Sequence, residues 1–308
     1  MHPRLNIQRG SKAMLAPQRD VTRFEMRRES SEAVAKALLI GAQLHLPPGR
    51  AQERFVRQAK RMGLCTQHAF AAVTSFPEEG TQMRFSSPRA CGHRLCLLDQ
   101  AIAARKSVKH IRNLVDVIWE KHPDARAMML TTTTRNRPIE QVGQMWRDQT
   151  DAIKRLFKTP RMMAANLGHF TALEVAVRGT ERAPQAGVHS HSLVIIEAGA
   201  LSDRRYIPQK HYVRMFREAA RLAYTPIVDI RLVRSETGAT DKDAVKAACI
   251  EIAKYICKPT GLINWRSDGT FDVNPRVALA LARGLFRRRP YIYDRCFKEA
   301  AKALKRRA

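Results

Sequence analysis

Between residues 127 and 233 the chain alternates short apolar runs with helical patterns, and this order limits the folds open to it. Residues 127–134 read as a β-branched strand. Pro138 suits the first turn of a helix reaching about Phe157. Residues 170–177 and 188–196 read as strands joined by a Gly/Pro-containing loop at 179–187. Pro208 opens a second helix, and residues 227–233 form another strand. The order β-α-β-β-α-β predicts an α+β fold: an antiparallel sheet of split β-α-β type with helices packed on one face.

The flanks read differently. Residues 1–30 are polar, basic and without period, a flexible arm. Residues 31–124 form a helical region with a cysteine cluster, in which helices at 31–46 and 52–64 are parted by Pro47-Pro48-Gly49. A long helix over 97–122 stops at Pro123. The sheet region covers 125–262. Residues 263–308 are a basic C-terminal helical tail, with ten Lys/Arg against two acids after Ala282.

A formal net charge of +27 points to a polyanionic partner, nucleic acid first and an anionic membrane surface second. With 44% hydrophobic residues the chain as a whole is not disordered. No apolar run approaches the roughly 20 residues of a membrane span, and the N-terminus lacks a secretory core. Six cysteines scattered over 308 residues do not make a disulfide scaffold. A cytoplasmic protein with no membrane partner is expected.

Within the sheet region, His189-Ser190-His191 heads the run Leu193–Ile196. Alternate residues of a strand share a face, so the two imidazoles project together, about 7 Å apart. With a third ligand such a pair makes a divalent-metal site; alone it is a chance pair. Glu174 lies on the preceding strand, roughly opposite His191 or Ser192 if the loop is centred near residue 183. It is either a third ligand, in a set suited to Mg²⁺ or Mn²⁺, or a solvent-facing strand residue.

Glu251, Tyr255 and Lys258 share one helical face. A tyrosine hydroxyl is a weak nucleophile unless a metal, base or cation assists it. The lysine can stabilise phenolate or bind phosphate, and the carboxylate can orient or deprotonate water. The same trio also fits a surface face with a half-buried tyrosine. Cys65, Cys91, Cys96 and Asp99, with His93 as a further donor, fit either a structural Zn²⁺ site or core cysteines.

Together these motifs resemble the replication initiators of rolling-circle plasmids, within the HUH (His-hydrophobic-His) endonuclease superfamily. Leu130-Thr-Thr-Thr-Thr-Arg-Asn136 resembles the first family motif. Leu173-Glu-Val and His189-Ser-His191 resemble the metal-binding hairpin, although the family favours a bulky apolar residue where Ser190 stands. Glu251-x-x-Lys-Tyr255-x-x-Lys258 is similar to the nucleophile helix of single-tyrosine members. Cys91-x2-Arg94-x-Cys96 resembles the family's cysteine cluster, with Asp99 where a further cysteine is usual.

The resemblance implies that 125–262 is a nicking domain, cutting one strand at a plasmid origin presented single-stranded or as a cruciform. His189, His191 and Glu174 would hold the catalytic Mg²⁺ or Mn²⁺. Tyr255 would form a 5′-phosphotyrosyl link, Glu251 would serve water at termination, and Lys258 would balance the phenolate. Arg287, Arg288 and Arg289 are the expected DNA contacts, and a host helicase and DNA polymerase the implied partners. Another HUH nickase (relaxase or transposase) and a non-enzymatic basic DNA-binding protein are the alternatives.

Overall fold

Breakers and period shifts along the chain set the elements of the computed structural model, which describes residues 16–67, 70–76, 80–86, 90–234, 241–257 and 259–307. Helix α1 (Ala16–His45) and α2 (Arg50–Gln67) are separated by the Pro-Pro-Gly breaker, with Gly49 at φ 139°. Residues 16–30, read from sequence as part of a flexible arm, are helical instead. Of residues 24–30, only Phe24 and Ser30 are buried, so that part shows no apolar period.

A hairpin of β1 (Phe70–Phe76) and β2 (Gly80–Ser86) precedes the long helix α3 (Leu97–Lys121). Then follow β3 (Arg126–Thr133), the two-residue β4 (Arg137–Pro138), α4 (Val142–Phe157) and the short α5 (Pro160–Ala165). The long hairpin β5 (Gly168–Gly179) and β6 (Pro184–Ile196) leads to α6 (Gln209–Ala219), β7 (Ile227–Leu232) and α7 (Asp241–Cys257). The chain ends through β8 (Pro259–Thr260), β9 (Asn264–Trp265), β10 (Phe271–Asp272), α8 (Pro275–Gly284), β11 (Tyr291–Arg295) and α9 (Cys296–Arg307).

The main strands lie in the order β11-β5-β6-β3-β7, each antiparallel to its neighbour. This is an α+β arrangement, but its helices cover both faces, not one. Met128, Leu130, Val194 and Ile196 pack against Ile153 and Leu156 of α4 and Phe216 of α6. Ala127, Phe170, Leu193 and Ile195 face the other way, against Ile118 of α3, Ile252 of α7 and Phe297 of α9. Continuous burial along Leu193–Ile196 is what a strand covered on both sides requires.

The C-terminal segment is likewise more than a helical tail. Its β11 pairs with β5 from Tyr291↔Ala172 to Arg295↔Gly168 and forms one edge of the sheet. The N-terminal helices join the ends of β5 and β6 through a separate core containing Leu38, Phe55, Leu279, Val175 and Val188. Among the described residues no helix is long and apolar enough to cross a membrane.

A buried polar chain runs through the α4 face. His169 stacks on Phe157, ring centroids 3.7 Å apart, and its Nδ1 is hydrogen-bonded to Thr171 Oγ1 at 2.9 Å. Thr171 is bonded in turn to Ser192 Oγ at 2.8 Å. Burial holds the His169 pKa down at about 3, whereas the unfolded chain takes up a proton near the ordinary imidazole value of about 6.5. This histidine therefore costs no stability above about pH 6.5. As pH falls towards 3 it costs up to about 1.4 kcal/mol per unit. Thermal melts at pH 7 and 4.5 should show a larger drop in Tm for the native chain than for His169→Gln. Equal drops would assign the acid sensitivity elsewhere.

Candidate active site

Strand parity puts His189 and His191 on the sheet face covered by α7. The opposed β3 residues in register are Thr133 and Thr131. Their hydroxyls meet the two Nδ1 atoms at 2.9 Å (Thr133–His189) and 3.2 Å (Thr131–His191). A hydroxyl both donates and accepts, so these threonines anchor the rings in either tautomer and leave Nε2 facing the site. The Thr-rich strand was legible from sequence, but this pairing was not.

Glu174 stands opposite His189, not His191 or Ser192. The loop is only residues 180–183, because Gly179 pairs with Pro184 and turns at φ 88°. A Cβ on Gly179 would lie 2.5 Å from the Ala183 carbonyl oxygen, so a side chain there would open the turn. The carboxylate reaches diagonally: Glu174 Oε2 is 3.2 Å from His191 Nε2, with both side chains nearly buried. Burial lowers the His189 pKa against the opposing pull of Glu174, which keeps its imidazole neutral and its lone pair free. Asn136 is a neighbour that sequence reading missed. Its Oδ1 would lie 2.4 Å from a Cβ on Gly187, and His189 Nε2 only 3.2 Å from that same point.

Ser190 points to the opposite face and is fully buried. Its hydroxyl is bonded to Thr132 Oγ1 at 2.6 Å, and Gln149 Nε2 on α4 donates to that same Oγ1 at 2.8 Å. A small hydroxyl thus occupies a position where an apolar side chain would leave Thr132 short of a partner.

Helix α7 completes the group. The Tyr255 ring lies flat on His191, centroids 3.5 Å apart and planes 8° from parallel. Its hydroxyl donates to Glu251 Oε1 at 3.1 Å, as one helical turn allows. Burial, then the bond to Glu251, then the charges of Glu251 and Glu174 push the Tyr255 pKa up to about 12. The phenol is therefore harder to ionise than an ordinary tyrosine, and a cation nearby would oppose the effect of the two carboxylates. Lys258, the expected counter-charge, lies outside the described residues.

Cys65, Cys91, Cys96 and Asp99 converge far from this group, with their ligand atoms all within 4.8 Å of one another. Among the described residues this is the one set of three or more His, Cys, Asp or Glu side chains drawn that close, and it could hold a metal ion. The Cys91 thiol donates to Asp99 Oδ2 at 2.9 Å, and the Gly92 amide donates to the same oxygen at 2.7 Å. The hydrogen bond from Cys91 pulls the Cys96 thiol down, while the same contact and burial push the Cys91 thiol up. His93 is not a member: its Nδ1 accepts from the Leu95 amide and its Nε2 meets Gln58. The three consecutive arginines do not share a face. Arg287 lies over the Phe286 ring at 5.3 Å, Arg288 enters a cleft between α4 and α8, and Arg289 lines another cleft beside β11.

Comparison with known proteins gives one consistent result. Residues 82–308 match the family described as "Replication protein". A relative named "Protein rep" from Streptococcus pneumoniae serotype 2 (strain D39 / NCTC 7466) is 28% identical over 230 residues, 74% of this chain and 67% of that protein. Others of the same name, from Bacillus amyloliquefaciens and Lentilactobacillus hilgardii, are 27% and 29% identical over 80% and 74% of this chain, and 73% and 70% of their own lengths.

Both Glu251 contributions raise the Tyr255 pKa, so Glu251→Gln should bring it down from about 12. A tyrosinate absorbance titration, with Tyr255→Phe as the subtraction control, reads this directly. An unchanged titration would mean that Glu251 and Tyr255 are not coupled in solution.

Proposed function

The chain belongs to the replication protein family of plasmid replication initiators, and we propose that it begins rolling-circle replication by nicking one strand of plasmid origin DNA through Tyr255. The observation carrying this reading is the stack of Tyr255 on His191, which sets a tyrosine hydroxyl and its Glu251 partner beside the His191–Glu174 pair. The strand order β5-β6-β3-β7, with α4 and α6 as the intervening helices, is compatible with an HUH-type nicking domain over 125–262. Strand β11 from the C-terminal segment would extend that domain's sheet.

The residues present fit a divalent ion. Two imidazoles anchored through Nδ1 and one carboxylate, His189, His191 and Glu174, are the donors that Mg²⁺ or Mn²⁺ accepts. When bound, such an ion polarises the scissile phosphate and offsets the carboxylate charge that raises the Tyr255 pKa.

The chain's own groups do the rest. His191 holds the phenol ring in plane, so the Tyr255 oxygen has a fixed approach to phosphorus. Glu251, already accepting the hydroxyl hydrogen bond, receives its proton as the O–P bond forms. The bond from phosphorus to the 3′ oxygen breaks and that oxygen takes a proton from water, leaving a free 3′-OH and a 5′-phosphotyrosyl link. At termination the same carboxylate can take a proton from water. Glu251 thus serves both steps, where the resemblance alone gave it only the second. Lys258, three residues further in the sequence, would balance the phenolate.

The free 3′-OH suits extension by a host polymerase behind a host helicase in the cytoplasm, and basic groups including Arg287, Arg288 and Arg289 would hold the DNA. Cys65, Cys91, Cys96 and Asp99 fit Zn²⁺ as a structural ion, pinning the start of α3 to α2.

Tyr255→Phe keeps the ring and its stack but removes the attacking oxygen. With an origin oligonucleotide and Mn²⁺, the native protein should form a covalent adduct and this variant none. Peptide mass spectrometry should find the nucleotide on Tyr255; a nucleotide on any other tyrosine would overturn the assignment.

A further inference from the structure

Two glycines let α4 and α8 cross backbone to backbone. A Cβ on Gly143 would lie 3.1 Å from the Gly284 Cα, and one on Gly284 would lie 2.4 Å from Val142 Cγ1 and 2.9 Å from the Gly143 nitrogen. Arg147 lies one turn beyond Gly143, and Arg283 and Arg288 bracket Gly284. The close crossing brings all three to one open cleft of about 630 Å³, which Arg276 and Glu140 also line.

The charges in this cleft do not balance. Glu140 is the one acid lining it, and Arg276 already takes it at 2.6 Å. Arg147 donates through Nε to the neutral Gln144 Oε1 at 3.1 Å, and Arg288 through Nε to the Gly284 carbonyl at 2.6 Å. Such partners fix a guanidinium without cancelling its charge. Burial and the nearby Arg147 both lower the Arg288 pKa, the mark of like charges held together. A cleft of this size takes one phosphate group, free or carried on a strand, and not the width of a duplex. Guanidinium forks match phosphate oxygens, and a phosphate between them would turn mutual repulsion into attraction. None of the residues lining the cleft belongs to the group around Tyr255.

We propose that Arg147, Arg283 and Arg288 form a phosphate-binding site separate from the nicking centre, occupied by the DNA backbone away from the cut. Only the source of the phosphate rests on the reading of the chain as a DNA nickase; a free nucleotide offers the same chemistry.

The test is fluorescence anisotropy with a labelled random-sequence duplex at several salt concentrations, comparing the native protein with the double variant Arg147→Gln, Arg283→Gln. Each neutralised phosphate contributes about 0.9 to the slope of log affinity against log salt. With one phosphate lost, the variant should lose about 0.9 of that slope and bind roughly eightfold more weakly near 100 mM salt. If it fails to fold by thermal melting, Arg147→Lys, Arg283→Lys, which keeps the charge, should retain the native slope, while acetylating those lysines should lower it. A second arm adds millimolar ATP: a rise in Tm confined to the native protein also supports the site and identifies a nucleotide as the source. Unchanged slope and affinity, with no difference in response to ATP, would overturn the proposal. Covalent attachment at Tyr255 plays no part in this measurement, so this inference and the nicking reading can fail independently.

Discussion

Across the β5–β6 hairpin, Ala172 pairs with His191 and Glu174 with His189. A slip of one residue would send both histidines to the α4 face and Ser190 to the α7 face, because strand side chains alternate. The register is held at two places. Gly179 and Pro184 close the loop with no spare residue. On the α4 face, Ser190–Thr132–Gln149 and His169–Thr171–Ser192 satisfy buried polar atoms that any other register would leave without partners. The polar chains behind the sheet thus fix the side chains in front of it.

The helical half of the site depends on that same register. Tyr255 has its plane set by His191 and its proton held by Glu251, so a sheet residue and a helix residue jointly define where the oxygen sits. The cost is electrostatic. Burial and the two nearby carboxylates push the phenol's pKa up to about 12, further from ionisation than an ordinary tyrosine.

Much of this was legible in the sequence. Period two forced His189 and His191 onto one face, and period 3.6 forced Glu251 and Tyr255 onto another. Cys65, Cys91, Cys96 and Asp99 converge as their spacing suggested. The failures share a cause: packing partners distant in sequence. Residues 16–30 are helical, and in the part from Phe24 to Ser30 only those two residues are buried, too few to show a period. Strand β11, Tyr291–Arg295, is short and set among arginines, and only its pairing with β5 makes it a strand. The second helical layer is built from α3, α7 and α9, which lie outside the central pattern. Arg287, Arg288 and Arg289 look like one basic run but point three ways, since the chain turns there and Arg287 takes φ 54°.

The central claim is that His189, His191 and Glu174 act as one donor set beneath Tyr255. Electron paramagnetic resonance of free Mn²⁺, titrated into native protein, His191→Ala and Tyr255→Phe, tests it most directly. The expected result is a Mn²⁺ site in the native protein, retained in Tyr255→Phe and weakened at least about tenfold in His191→Ala, as loss of an imidazole ligand should cause. Native-like Mn²⁺ binding by His191→Ala, and by the double variant lacking both histidines, would contradict it.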